Sequence, residues 1–90
     1  MIIISYDISD DKLRTKFAKE LSKYGYRLQY SVFQINNSEH ILNNILKTIE
    51  EKFKTKFTQS DSVMIFKLNK NCEIKRYGYA KNENSDFFVI

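Results

Sequence analysis

Ninety residues with 42% apolar and 14% aromatic side chains suit one small domain with a single core, and they exclude a disordered chain. No apolar run has the length of a membrane span or the flanks of a signal peptide, and a lone cysteine, Cys72, excludes an internal disulfide or a multi-cysteine zinc site, so a soluble, cytoplasmic protein is expected. Fifteen basic against eleven acidic residues leave a net charge of +4, which points to a polyanionic partner where the excess gathers on one surface.

The chain opens on a short apolar strand, Ile2-Ile3-Ile4, that runs into Tyr6-Asp7-Ile8-Ser9-Asp10-Asp11-Lys12-Leu13-Arg14. A helix follows. Ser9 or Asp10 is a suitable N-cap, and Asp10 and Asp11 complement the positive end of the helix dipole. Leu13, Phe17, Leu21 and Tyr24 recur at helical spacing and draw one buried stripe, and Gly25 is placed to supply a left-handed C-terminal residue. Lys12, Arg14, Lys16, Lys19 and Lys23, with Arg27 just beyond, form the densest basic stretch, which reads either as a solvated helix face or as a phosphate-binding one.

Arg27 to Ile35 is rich in β-branched and aromatic residues and predicts a strand, kinked or split near Ser31, and Asn36-Asn37 marks a turn. Ser38 caps a second helix whose apolar set is Ile41, Leu42, Ile45, Leu46, Ile49 and Phe53, with Lys47, Glu50, Glu51 and Lys54 on the far side. Asp61 to Leu68 is apolar on both faces and predicts a central strand covered on both sides. After a turn at Asn69 to Asn71, Cys72 to Tyr77 predicts a further strand, and Phe87-Phe88-Val89-Ile90 ends the chain on an apolar piece. These elements make one α+β domain over 1–90, a ferredoxin-like sandwich with two helices on one face of an antiparallel sheet. Residues 86–90 are expected to add as a strand to a sheet edge, exchanged between the subunits of a homodimer.

Asp7 stands where the first strand stops, with basic residues following on a helix. Oxygen ligands suit a hard cation such as Mg²⁺ or Mn²⁺, which needs only one or two protein carboxylates beside water and substrate phosphate. The residues alone leave a second role open for Asp7, a local turn with the backbone near Ser9. Asp10 and Asp11 fit helix capping better than ligation. Tyr6, Tyr26 and Tyr30 read as core or interface aromatics ahead of base-stacking ones, His40 as an exposed histidine with no ligand set around it, and Cys72 as a small packed hydrophobe. Gly25 and Gly78 stand too far apart for a glycine-rich phosphate loop.

Two stretches, Tyr6 to Arg14 and Tyr26-Arg27-Leu28-Gln29-Tyr30-Ser31-Val32-Phe33, resemble the signatures of the small CRISPR-associated protein of the second Cas family, which acts in spacer acquisition, and Asp61-Ser62-Val63 is similar too. The resemblance covers nearly the whole chain in the same order. It implies a ferredoxin-like homodimer with crossing C-terminal strands that bridges the CRISPR integrase and binds duplex DNA or RNA, with metal-dependent nuclease activity in several members. Carried over residue by residue, it makes Asp7 the metal-binding and catalytic carboxylate, Arg14, Lys16 and Arg27 the nucleic-acid-binding positions, and Phe33 a hydrophobic anchor. Lysine at position 16 turns a two-pronged phosphate contact into a point charge. On that basis the two Asp7 side chains face one another across the dimer axis with metal between them. The competing reading is a free-standing metal-dependent ribonuclease of a toxin–antitoxin system, which needs the Asp7 chemistry where a scaffold does not. A single-strand RNA module built on sheet aromatics lacks its expected glycine-flanked aromatic pattern here.

Overall fold

The computed structural model describes residues 1–69, 71–75 and 77–78. Among them four strands and two helices follow one another as β1 (Ile2–Asp7), α1 (Asp11–Ser22), β2 (Gly25–Gln29), β3 (Val32–Ile35), α2 (Glu39–Thr48) and β4 (Ser62–Lys67). The sheet order is β2-β3-β1-β4, with β1 antiparallel to both neighbours and β2 antiparallel to β3. Each helix therefore links two parallel strands that have another strand between them, the split βαβ arrangement of the expected ferredoxin-like sandwich.

The stretch from Arg27 to Ile35 is split, as its composition allowed, and the two parts pair with each other as a hairpin. Its tip is Tyr30-Ser31, and Ser31 takes φ = 68°, a conformation that turns the chain within two residues. Gly25 corrects the expectation of a left-handed helix end. It begins β2, and a Cβ there would lie 2.0 Å from the Gln34 carbonyl oxygen, so glycine is required by the close approach of β3.

The helix signals hold. Asp10 caps α1, its side chain accepting from the Leu13 amide at 2.8 Å, and Ser38 caps α2 through the Ile41 amide at 3.3 Å. Leu13, Phe17, Ala18 and Leu21 of α1 pack on Ile2, Ile4 and Tyr6 of β1, Phe33 and Ile35 of β3, and Leu42, Ile45 and Phe53. Phe17 is the centre of this core, edge-on to Tyr6 at 5.0 Å and to Phe53 at 5.1 Å between ring centroids. Past Thr48 the second helix widens into a π turn (Ile49–Phe53) and then tightens into a 3₁₀ turn (Lys54–Lys56). The widening delivers Phe53 to Phe17, while Leu46, expected in the buried set, lies on the exposed side.

Two strand expectations fail for physical reasons. Asp61 to Leu68 supplies β4, but as the outermost described strand on that side of the sheet, and its apolar open face leaves Met64 55% and Phe66 39% exposed. The strand flanked on both edges and buried through its apolar run is β1, with Ile2, Ile3 and Ile4. Cys72 to Glu73 and their described neighbours form a turn and irregular chain, with no strand, and the half-buried Cys72 stays near the Glu73 carbonyl. The strand expected over 86–90, with Phe87, Phe88, Val89 and Ile90, lies outside the described residues. No helix among the described residues is long and apolar enough to cross a membrane.

Candidate nucleic-acid interface

Alternation along β1 sends Ile2, Ile4 and Tyr6 under the helices and Ile3, Ser5 and Asp7 to the other side of the sheet. Asp7 is the last residue of the strand, opposite Ser62 of β4, exposed, and without a side-chain partner among the described residues. It shares the open face with Met64 and Phe66. No group of three histidine, cysteine or carboxylate residues close enough to hold a metal ion occurs among the described residues.

The loop after Asp7 is fixed from the segment just before β4. One carboxylate oxygen of Asp61 accepts from the Ser9 amide and the Ser9 hydroxyl, both at 2.9 Å, and the other accepts from the Thr58 amide at 2.9 Å. These donors, the Thr58 and Ser9 amides foremost, hold the Asp61 carboxyl below its ordinary pKa. The Ser9 backbone that Asp7 was expected to bond is thus taken by Asp61. Asp10 is occupied as the cap and Asp11 by its ion pair with Arg14, so neither is presented as a metal ligand.

The arginines are built in. The Arg14 guanidinium donates to the Ile8 carbonyl at 3.0 Å, pairs with Asp11, and lies 5.8 Å from the centroid of the Tyr30 ring. The Asp11 hydrogen bond raises its pKa further. Arg27 lies 5.2 Å from the Phe33 ring centroid and reaches the Tyr6 hydroxyl. Burial raises the Tyr6 pKa, against the lowering effect of Arg27 beside it. Phe33 itself is 1% exposed and faces the helices, so it anchors its own core and is not available to a subunit interface.

The exposed positive charge is carried by lysine. Lys16 and Lys19 of α1, Lys23 at its C-cap, and Lys52 and Lys56 from the turns after α2 line a groove of about 540 Å³ with Leu13, Phe53, Glu20 and Glu51 among them. Lys23 pairs with Glu20 at 3.1 Å, while Lys16, Lys19, Lys52 and Lys56 have no ion-pair partner among the described residues. Of the expected positions, Lys16 is the one left exposed with no ion pair among the described residues. Lys52 and Lys56 were missed because regular helical spacing sets them seven residues after Ile45 and Ile49, on the apolar side, and not among exposed cations; the signal was the density of lysine from 52 to 56.

The profile of the family described as "CRISPR associated protein Cas2" matches residues 1–76. A "CRISPR-associated endoribonuclease Cas2 4" of Rhodospirillum rubrum is 34% identical over 74 residues, which are 82% of this chain and 57% of that protein, so the chain spans a little over half of that relative's length. Among solved structures, a hypothetical protein of Thermus thermophilus superposes with a TM-score of 0.73 and 26% identity, covering 91% of this chain and 95% of its own. Streptococcus pyogenes Cas2 superposes with a TM-score of 0.64 and 25% identity over 78% of this chain and 87% of its own.

Proposed function

The chain belongs to the CRISPR-associated Cas2 family, and from that footing we propose that it serves CRISPR adaptation as a dimeric nucleic-acid-binding scaffold for the integrase and cleaves phosphodiester bonds with Mg²⁺ or Mn²⁺ at Asp7. The observation that carries the reading is the company Asp7 keeps: an exposed carboxylate, without a side-chain partner among the described residues, on the same open face as Met64 and Phe66. Large apolar residues clustered on an exposed face mark an interaction surface. A two-fold pairing through that face sets two Asp7 carboxylates near the axis.

The described residues of one chain hold no group of three ligands for a cation; two Asp7 carboxylates with water and the substrate's phosphate oxygens suit a hard divalent ion. Such an ion, when bound, supplies charge neutralisation at the phosphate and a more acidic water. The chain's own part is to hold that carboxylate at the end of β1, with Asp61 fixing the loop behind it, and to bind phosphate through Lys16, Lys19, Lys52 and Lys56. Contacts of this kind are salt-dependent and read little sequence. The name endoribonuclease carried by the Rhodospirillum relative favours RNA as the strand that is cut.

The test is spacer integration reconstituted with the partner integrase, run beside a cleavage assay on RNA and duplex DNA. Asp7→Asn abolishes metal-dependent cleavage and leaves nucleic-acid binding and integration intact, whereas Lys16→Glu with Lys52→Glu weakens binding and integration together. Full residual cleavage in Asp7→Asn refutes the catalytic assignment, and DNA association that is absent or indifferent to salt refutes the scaffold.

A further inference from the structure

We infer that Tyr30 is a stacking platform for an unpaired nucleobase; this rests on the nucleic-acid reading above and adds to it a residue that contacts the bound strand.

Tyr30 is 70% exposed, far more open than the aromatic residues of the core. It sits at the tip of the β2–β3 hairpin, which is tied to the end of β1 by the Tyr6 amide donating to the Ser31 carbonyl at 3.0 Å. The tip and Asp7 therefore occupy the same end of the sheet. The ring is also supported. The Arg14 guanidinium lies 5.8 Å from its centroid and is itself held by the Ile8 carbonyl and Asp11, so the cation beneath the ring is fixed in place. A phenol ring packed on one side against a positioned guanidinium and open on the other presents a flat apolar surface to a base. Every base has such a surface, so the platform is indifferent to sequence.

Base pairing decides what it can take. In a duplex the bases are stacked inside and only edges and phosphates are reachable, whereas unpaired bases splay out and stack on aromatic rings. Tyr6, under the helices, and Phe33, in the core, have no free ring face to offer. Among the described residues at this end of the sheet, Tyr30 is the aromatic that does.

The chain contains no tryptophan, so Tyr30→Trp gives a single fluorescent reporter at the platform. Titrations use a short single-stranded RNA and a duplex of the same length, in EDTA so that nothing is cut. Expected are quenching of the introduced indole by the single strand and not by the duplex, and a loss of about tenfold in single-strand affinity for Tyr30→Ala, the size of one base–aromatic stack. Tyr30→Phe retains wild-type affinity because the ring and not the hydroxyl is used. Tyr30→Ala with unchanged single-strand affinity, or indole fluorescence quenched equally by duplex, overturns the platform while leaving the nucleic-acid reading in place. Failure of wild type and Lys16→Glu alike to bind either probe at low salt overturns both.

Discussion

Replacing Gly25 with alanine separates two explanations of the same glycine. A left-handed helix end would call for glycine because of φ, and there asparagine is the best-tolerated substitute. The structure gives a different cause: the new Cβ meets the Gln34 carbonyl oxygen at 2.0 Å, the Ile35 Cα at 2.8 Å and the Gln34 carbonyl carbon at 2.9 Å, where ordinary contact begins at 3.4 Å. All three atoms are backbone, so no side chain can swing away. β2 and β3 must part, at an overpacking cost of about 1–3 kcal/mol. The bond from the Asn36 amide to the Tyr24 carbonyl, 3.0 Å long and adjacent to the clash, is strained or lost for about 1 kcal/mol more. A total of about 2–4 kcal/mol lowers the melting temperature of a domain this size by about 10–25 °C, read by circular dichroism at one protein concentration so that any self-association is held constant. Gly25→Asn is as destabilised as Gly25→Ala or worse, since it carries the same Cβ. A neutral alanine, or asparagine clearly better than alanine, refutes the close-approach argument.

Asp61→Asn tests the clamp behind Asp7. The Asp61 carboxyl has a lowered pKa in the folded chain, so the unfolded chain binds the proton more readily; the stabilisation is present above the ordinary carboxyl pKa and is lost as pH falls through the folded value. Urea midpoints measured from neutral pH into the acid range converge for wild type and Asp61→Asn as pH drops, and parallel curves would remove the linkage. The open sheet face is tested by Met64→Glu with Phe66→Glu. These exposed positions cost the monomer little, within about 0.5 kcal/mol, yet light scattering shows the mass of one chain where wild type shows two. An unchanged mass would show that this face is not the interface.

How far the sequence was legible depended on whether the cause was local. Helix caps and apolar stripes are written within a few residues, and Asp10, Ser38 and the Leu13-Phe17-Leu21 stripe all read correctly. The hairpin was half legible, because β-branched composition marks strands but does not say that two of them pair across Tyr30-Ser31. β4 was misplaced for a reason of the same kind: an apolar pattern on both faces does not say whether the strand is flanked on both edges or lies outermost among the described strands. Gly25 was misread because its constraint comes from Gln34, nine residues away in sequence and adjacent only after the hairpin forms. At the candidate site, the position of Asp7 at the exposed end of β1 was legible from where the apolar run stops. The internal use of Arg14 and Arg27 was not, since their partners Ile8, Tyr30, Tyr6 and Phe33 meet them only in the folded chain.

The placement of these groups constrains how binding and cleavage relate. Lys16, Lys19, Lys52 and Lys56 lie on the helical layer, and Asp7 lies on the opposite side of the sheet. A stiff duplex seated along the lysine groove therefore keeps its phosphates away from the Asp7 of that protomer, and scaffold binding proceeds without placing the duplex in a position to be cut. For a strand to touch both, it must bend around the end of the sheet, past the hairpin tip where Tyr30 stands on Arg14. Duplex DNA resists such a bend over a few nucleotides, whereas an unpaired strand makes it readily. On the proposed function, duplex is held on one layer and flexible strands reach the carboxylate on the other, so the two proposed activities are expected to separate by substitution because their residues are separated in space.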